Sequence, residues 1–255
     1  MRALPKEAPP DAFGRAAREY ELGRPEWPGE VLDRVVGEMG LGPEAAVLDL
    51  GAGTGKLTRG LVPRFARVIA VEPDEAMRAV LEDVVPDAES LPGNAEAIPL
   101  PDGEVDAVFS GEAFHWFATD TALAELARVL RPRGGLAILW NIFQGDMEPP
   151  LSDEAEELLD EAFARGGVPG LHRVLSGRWR EPFAGSAFED LHEEEFEYDL
   201  VIDREIWIAR ILSVSSMAVQ PDESREALAQ QLRELVPPGE MKQRFRVVAY
   251  WTRLA

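Results

Sequence analysis

The sequence predicts an α/β protein built on a mostly parallel sheet with helices on both faces. Short runs of consecutive apolar residues alternate along the chain with segments whose apolar residues recur at helical spacing. The first runs are AAVLDL (45–50) and RVIAVE (67–72). Both are continuously apolar, which is typical of strands buried on both faces. This alternation predicts parallel strands joined by crossover helices.

Two helices are predicted before the first strand. The first lies near residues 13–21, after a proline-rich stretch at 1–12 that we expect to be loosely held. The second follows from the segment PEWPGEVLDRVVGEM, where a Pro/Gly start precedes apolar residues at helical spacing. Those apolar residues are Val31, Leu32, Val35 and Met39.

The middle of the chain repeats the pattern of strand and helix. A helix begins after Gly53 and ends near Pro63, and Asp74 is placed to cap another. Further on, VDAVFS (105–110) predicts a strand and TALAELARVL a helix. The next strand, GLAILW (135–140), follows a Gly-Gly turn.

Residues 142–190 interrupt the alternation, and we interpret them as an insertion that forms a substrate cap. The pattern resumes with the strand EEEFEYDLVI, helices near 203–214 and 222–235, and the final strand RFRVVAYWTRL. No helix follows the last strand, so we expect it to pair antiparallel. The prediction is one domain over residues 1–255, with a cofactor-binding core at 13–140.

Composition excludes several classes of function. The chain has 255 residues and a formal charge of −21, so nucleic acid and anionic membranes are poor partners. It has no run of 18 apolar residues, no secretory signal and no Cys, and we expect a cytoplasmic protein. With three His and no Cys, no metal site is expected. The oligomeric state cannot be predicted.

The turn after the first strand is the most informative stretch. A phosphate-binding P-loop would need Gly at position 50 and Ser or Thr at position 57, where the chain has Leu50 and Leu57. A dinucleotide fingerprint would need Gly at position 56, which is Lys56. A turn with purely structural glycines is the remaining simple interpretation. It leaves unexplained why acids stand at two consecutive strand ends, Asp49 and Glu72.

The motifs together resemble those of class I S-adenosylmethionine-dependent methyltransferases. VLDLGAGTGKLT resembles the first motif of that family, VIAVEPDEAM the second, GNAEAIPLPDGEVDAVFSGEAFHWF the third and fourth, and RVLRPRGGLAIL the fifth. FHWF and the N-terminal YELGRPEWP resemble a small-molecule subgroup that includes trans-aconitate methyltransferase-like proteins. The resemblance implies a Rossmann-like fold with a seven-stranded, mostly parallel sheet and one antiparallel strand near the C-terminus.

The resemblance also implies a cofactor site. Asp49 would lie near the ammonium of S-adenosylmethionine, and Glu72 would accept hydrogen bonds from both ribose hydroxyls. Glycines in the turn would let the backbone approach the cofactor. Many relatives have Asp where this chain has Asn94. The full set of implied cofactor-binding residues is Tyr20, Arg24, Asp49, Gly51, Ala52, Gly53, Glu72, Pro73, Asn94, Ala95, Glu96 and Glu112.

The implied reaction is methyl transfer to an O, N or C atom of a small molecule. His115 is a candidate general base, although many methyl transfers need none. Four aromatic residues suggest an aromatic pocket or part of the core: Trp116, Trp140, Trp179 and Phe183. The segment YELGRPEWP is either a lid over the ligand or a structural brace. The alternatives are a non-enzymatic binding protein on this fold and a dinucleotide-dependent oxidoreductase, which Lys56 disfavours.

Overall fold

The computed structural model describes residues 16–166 and 170–255. The strands are β1 Ala46–Leu50, β2 Arg67–Val71, β3 Glu89–Leu91, β4 Val105–Gly111, β5 Leu130–Glu148, β6 His192–Asp203 and β7 Glu240–Arg253. They form one sheet in the order β3-β2-β1-β4-β5-β7-β6. The predicted α/β class and the seven-stranded sheet are confirmed.

The described α-helices are α1 Ala17–Gly23, α2 Gly29–Glu38, α3 Lys56–Leu61, α4 Glu75–Val84, α5 Asp120–Val129, α6 Asp153–Gly166, α7 Gly170–Leu175, α8 Arg204–Ser213, α9 Ser215–Ala218 and α10 Asp222–Leu235. Short 3₁₀ helices span Phe114–Trp116 and Arg178–Phe183. Asp74 caps α4 by accepting a hydrogen bond from the Met77 N–H at 2.9 Å, as the sequence predicts. In the described part of the chain, no helix is long and apolar enough to cross a bilayer.

The first strands are parallel and fully covered. β1 pairs in parallel with β2 and β4, and β4 pairs in parallel with β5. All five residues of β1 are buried. Because side chains alternate between the two faces of a strand, burial of every residue requires that both faces are covered. The carboxyl ends of these strands therefore meet at one edge of a double-sided sheet.

The last strand runs antiparallel to its neighbours. Along β7, Gln243 contacts Met147 and Tyr250 contacts Trp140, so residue numbers on β5 fall as those on β7 rise. The ion pairs that Arg244 and Arg246 make with β6 show the same opposite sense. The predicted antiparallel strand near the C-terminus is confirmed.

The described residues divide into two compact units. The sheet unit comprises residues 26–142, 173–196 and 246–255, and the helical unit comprises 16–25, 143–166 with 170–172, and 197–245. By chain position, β5, β6 and β7 each contribute residues to both units.

The two cores are distinct sets of side chains. In the sheet unit, the residues of β1, β2, β4 and β5 pack with the aromatic rings of Phe114, Trp140 and Trp179. In the helical unit, apolar residues of α6, α8 and α10 pack around Trp207 and Met217. Each unit therefore buries apolar surface of its own, which is the main source of its stability.

Several elements differ from the sequence prediction. The strand predicted at 135–140 extends over Leu130–Glu148, because its polar second half is held by pairing with β7 rather than by an apolar run. The three-residue strand β3 has no apolar run and was not predicted. The insertion predicted at 142–190 is divided between the units, since Trp179 packs into the sheet core. Its role as a cap stays a prediction, and residues 1–15 lie outside the described chain.

Candidate active site

The glycine turn links the end of β1 to α3 with a left-handed backbone. Gly51, Gly53 and Gly55 have φ angles of +73°, +57° and +88°. Such angles strain residues that carry a Cβ atom. A Cβ atom on Gly51 would also lie 2.7 Å from the Cβ atom of Ala113. Gly51 is therefore required by packing against the segment after β4, in addition to the ligand approach that the sequence suggested.

Asp49 is a fully buried carboxylate at the end of β1. Its Oδ2 accepts a hydrogen bond of 2.6 Å from the hydroxyl of Thr58, and its Oδ1 has no donor within the described chain. Burial raises the pKa of Asp49 to about 7, with the hydrogen bond from Thr58 opposing the rise and the charge of Glu72 adding to it. An unsatisfied buried carboxylate oxygen requires an explanation, and a cationic or N–H-bearing ligand would provide one.

Glu72 directly follows β2 and is held by two backbone donors. Its Oε2 accepts from the Gly53 N–H at 2.8 Å, and its Oε1 accepts from the Asp74 N–H at 2.9 Å. The residue is 8% exposed, and burial raises the pKa of its carboxyl group against these two hydrogen bonds. Each carboxylate oxygen can accept a further hydrogen bond. The fold thus joins the turn after β1 to the acid after β2.

Asn94 organises a turn with its side chain. Its Oδ1 accepts from the N–H groups of Glu96 and Ala97, both at 3.0 Å. The Glu96 carboxylate accepts a hydrogen bond from the hydroxyl of Thr119 at 3.3 Å, and Ala95 is buried in the sheet core. An Asp at position 94 would make the same two acceptor contacts, so the departure from the family pattern preserves this turn.

Glu112 stands at the carboxyl end of β4 with a φ of +59°, a conformation that is uncommon for a residue other than glycine. Its N–H donates to the Leu139 carbonyl at 2.9 Å, and its carboxylate accepts from the Asn141 N–H. Glu112 therefore ties the end of β4 to the middle of β5. Such backbone strain persists only where the surrounding structure holds it, and it is concentrated at functional sites.

His115 is buried beside Trp140. The Trp140 Nε1–H donates to His115 Nδ1 at 3.1 Å, and the His115 ring contacts Trp116 with centroids 4.7 Å apart. An indole N–H is only a donor, so Nδ1 is the acceptor and the neutral imidazole carries its proton on Nε2. The ring's single lone pair is then already engaged, which disfavours a general-base role for His115.

Two of the four aromatic residues noted in the sequence, Trp140 and Trp179, are core residues that also border a cavity of about 150 Å³ in the sheet unit. Trp140 and Trp179 are 1% and 4% exposed. With Tyr250 they line the cavity, together with the side chains of Arg180 and Arg246. The two sequence interpretations, pocket and core, are therefore both correct for Trp140 and Trp179.

Comparison with known proteins identifies the family. The family described as "Methyltransferase domain" matches residues 48–138. An uncharacterized methyltransferase of Mycobacterium tuberculosis is 37% identical over 227 residues, covering 88% of this chain and 85% of the relative. The chain belongs to the class I S-adenosylmethionine-dependent methyltransferases. An uncharacterized methyltransferase of Schizosaccharomyces pombe is similar to it at 34% identity, covering 86% of this chain and 84% of the relative.

A solved structure agrees with this family assignment. The methyltransferase shares 26% identity and a TM-score of 0.64 with a structure from Anaeromyxobacter dehalogenans that is assigned as a type II methyltransferase. The match covers 91% of this chain and 98% of the other. The enzyme class and the Rossmann-like fold predicted from the sequence are thus confirmed, and the family implies use of S-adenosylmethionine.

Tyr20 and Arg24 of the methyltransferase lie in the helical unit. Arg24 donates from Nε to the Ser213 hydroxyl at 3.0 Å and from Nη2 to the Ser213 carbonyl at 3.3 Å. Its guanidinium also lies over the ring of Tyr20 at 5.1 Å. In the sheet unit, Trp27 packs so closely that a Cβ atom on Gly111 would lie 2.8 Å from it. Trp27 thus packs against the end of β4, and the lid and brace roles of the segment both stay predictions.

One residue of the methyltransferase site, Thr58, was missed by sequence reasoning. Thr58 holds Asp49, and its position two residues into α3 was an available signal. Trp140 was noted as an aromatic residue, but its hydrogen bond to His115 depends on strand pairing across 25 residues. Pro73 is exposed after Glu72, and Ala52 packs on Ala70, so both are placed at the turn without a polar role.

Replacing His115 by Asn is expected to lower kcat of the methyltransferase by less than about threefold, because the Asn Oδ1 lies close to the position of Nδ1 and can accept the Trp140 N–H in its place. Loss of a general base would instead lower the rate by about a hundredfold or more. Steady-state kinetics with an identified acceptor, alongside calorimetric titration of S-adenosylhomocysteine, makes the distinction. A hundredfold loss of kcat at unchanged cofactor affinity would establish His115 as the base.

Proposed function

We propose that this methyltransferase binds S-adenosylmethionine at the carboxyl ends of β1, β2 and β4 and methylates a small molecule. The observation that supports this most directly is the pair of buried acids at consecutive strand ends. Asp49 and Glu72 flank the left-handed glycine turn, and Glu72 is bonded to that turn through Gly53. Ligands of open α/β sheets bind at this edge.

In the proposed complex, different residues contact three parts of the cofactor: its amino group, its ribose and its adenine. The unsatisfied Oδ1 of Asp49 faces the cationic amino group, directly or through water. The Glu72 carboxylate accepts from the ribose hydroxyls, and the turn at Asn94 with Glu96 borders the adenine. Pro73, Ala95 and Glu112 complete this side of the site. These chemical groups fit the cofactor, because buried carboxylates are matched by a cation and by hydroxyl donors.

Catalysis in this proposal depends on positioning. S-adenosylmethionine supplies a methyl group that is already activated by its sulfonium. The chain holds the cofactor through Asp49 and Glu72 and excludes water around the reacting atoms. Because His115 Nδ1 accepts the hydrogen bond from Trp140, His115 does not act as a general base in this proposal.

We propose a small molecule with a flat or apolar part as the acceptor, as in the subgroup of trans-aconitate methyltransferase-like proteins. Support comes from the cavity of about 150 Å³ beside Trp140, Trp179 and Tyr250. A malonyl-[acyl-carrier protein] O-methyltransferase of Methylococcus capsulatus is 40% identical over 139 residues, covering 49% of this chain and 48% of that protein. That partial match supports oxygen as the methylated atom.

Mass spectrometry of the purified protein tests cofactor binding directly. We expect S-adenosylmethionine or S-adenosylhomocysteine to copurify with it. A panel of small acids, phenols and amines is then incubated with a cofactor that carries a labelled methyl group. Label on an acceptor supports the proposed function. Tight cofactor binding with no labelled product across classes would favour a non-enzymatic cofactor-binding protein.

Affinity for S-adenosylhomocysteine is expected to rise about tenfold between about pH 6 and pH 8. The pKa of Asp49 is raised to about 7, and only the ionised carboxylate attracts the ligand's ammonium. Affinity should therefore increase as pH rises through that value and then level off. Calorimetric titration across this range measures it.

Asp49→Asn is the matched control, because it keeps the shape and cannot ionise. Its affinity for S-adenosylhomocysteine should be low and should not change with pH in this range.

The thermal stability of Asp49→Asn should also depend on pH differently from that of the wild type. Because the pKa of Asp49 is raised in the folded protein, its carboxyl group contributes to the free energy of unfolding fully below about pH 4. That contribution is lost as pH rises through about 7. The variant should gain thermal stability relative to wild type at pH 8, and a wild-type affinity that is flat with pH would contradict the role of Asp49.

A further inference from the structure

The cavity in the sheet unit has the volume of one six-membered ring. It measures about 150 Å³, and apolar cavities of this volume take up benzene. Its lining comes from β5, β6 and β7 and from residues 174–180, and most of the side chains are apolar. Leu175 lines the cavity and is 62% exposed, so the cavity opens to solvent at this residue. A small molecule can therefore enter it.

Aromatic rings that contact one another form one wall of this cavity. The ring centroids of Trp140 and Trp179 are 4.6 Å apart, and those of Trp179 and Tyr250 are 4.9 Å apart. The ring planes meet at 52° and 69°, so the wall presents edges as well as faces. Aromatic rings prefer edge-to-face and offset contacts with one another. The wall is therefore suited to a further aromatic ring.

The charged groups at the cavity are paired with one another. Arg180 forms an ion pair with Glu193 at 3.4 Å and donates from Nη2 to the Tyr250 hydroxyl at 2.6 Å. Arg246 donates from Nη1 to the carboxylate of Glu195 at 3.0 Å. An ionised ligand would have to displace one of these partners or be buried without a counter-ion, and both are unfavourable. The cavity therefore favours an uncharged ligand.

The cavity adjoins the edge of the sheet where the cofactor is proposed to bind. β4 ends opposite Leu139, so Trp140 is the first residue of β5 beyond that edge. The next residue, Asn141, donates its N–H to the carboxylate of Glu112, which is among the proposed cofactor contacts. A ring in the cavity would thus lie beside the cofactor site.

We propose that this cavity binds the methyl acceptor through one uncharged aromatic ring, so that the acceptor is a monocyclic phenol. The inference rests on the proposed function and narrows its acceptor class. A phenol hydroxyl is uncharged at neutral pH, which matches the paired charges at the cavity. Its methylation forms an O–CH₃ bond and breaks the S–CH₃ bond, whose electron pair stays on sulfur, and the phenol proton passes to water.

Calorimetric titration with small ring compounds tests the cavity without methyl transfer. The probes are phenol, cyclohexanol, 2-naphthol and benzoate, each titrated with and without S-adenosylhomocysteine. We expect phenol to bind at least about tenfold more tightly than benzoate, because Arg180 and Arg246 already have carboxylate partners. Phenol should also bind more tightly than the non-aromatic cyclohexanol and the bicyclic 2-naphthol. Absence of phenol binding, or a different order of affinities, contradicts the proposal.

Val174→Phe tests whether the ring occupies the cavity. Val174 lines the cavity and packs against the sheet core, so a Phe side chain would fill the space with a ring of the protein itself. We expect the variant to keep or raise the unfolding temperature and to bind phenol at least about tenfold more weakly. Val201→Phe is the matched control, because Val201 is exposed and lies in the helical unit. Equal phenol affinity in the two variants overturns the proposal.

Glu195→Gln tests the charge argument and does not depend on the folding of Val174→Phe. It keeps the shape of the side chain and leaves Arg246 without its carboxylate at the cavity. We expect this variant to bind benzoate at least about tenfold more tightly than the wild type does. Glu194→Gln is the matched control, since the neighbouring residue on β6 faces the other way and pairs with Arg34. Equal benzoate affinity in the two variants contradicts the charge argument.

Transfer of a labelled methyl group separates this inference from the proposed function. Label on phenol that is lost in Val174→Phe and kept in Val201→Phe supports both. Label only on acceptors without an aromatic ring overturns the inference and leaves the proposed function standing. Phenol binding in the cavity with no label on any compound refutes the proposed function, and with it the assignment of the ring to an acceptor.

Discussion

Replacing Glu72 by Ala is expected to weaken binding of S-adenosylhomocysteine by about 1.5–3 kcal/mol, or about 10- to 150-fold. Two losses act together. The ribose loses a charged acceptor, and the N–H groups of Gly53 and Asp74 lose the carboxylate that holds them at 2.8 Å and 2.9 Å. The glycine turn is then free to leave the geometry that fits the cofactor. Calorimetric titration measures the change in affinity.

The control for this variant is Glu75→Ala. Glu75 is an exposed acid in the first turn of α4, three residues from Glu72, so its removal tests the effect of local charge alone. We expect its affinity to stay within about twofold of the wild type, as for surface charges in general. Unchanged affinity in a folded Glu72→Ala variant would refute the ribose assignment.

Replacing Gly51 by Ala is expected to lower the free energy of unfolding by about 3 kcal/mol. Part of the loss comes from the φ of +73°, which an L-residue adopts only with strain. The remainder comes from overpacking, because the new Cβ atom would lie 2.7 Å from the Ala113 Cβ atom. Denaturant unfolding monitored by circular dichroism gives the value.

Gly103→Ala separates these two contributions. Gly103 has a φ of +62°, close to that of Gly51, and no atom lies within 4 Å of the position of an added Cβ. The Gly103→Ala variant should lose only the part of the free energy of unfolding that comes from backbone strain, about 1 kcal/mol. Adding Ala113→Gly to Gly51→Ala should recover the packing part. Equal losses at Gly51 and Gly103 would show that the contact with Ala113 relaxes without energetic consequence.

The residues of the candidate site could be predicted from the sequence where they lie in local motifs. The spacing of Asp49, Gly51 and Gly53 is a property of a single turn, and Glu72 is identified by its place after the next apolar run. The contacts that such residues make could not be predicted from local motifs. The contact of Gly51 with Ala113 and the hydrogen bond from Trp140 to His115 each join distant segments.

Hydrophobic patterning by itself predicted the α/β class, the parallel strands and the positions where the first two strands end, which is where Asp49 and Glu72 stand. Continuous apolar runs and helical spacing are local properties of the sequence, and this is why they could be read from it. Tertiary structure decided the length of β5, whose polar half is held by pairing with β7, and the division of residues 142–190 between two units. It also brought together the lining of the cavity beside Trp140, which comes from β5, β6, β7 and residues 174–180. Burial and pairing arise from contacts between segments far apart in the chain, and no local pattern carries that information.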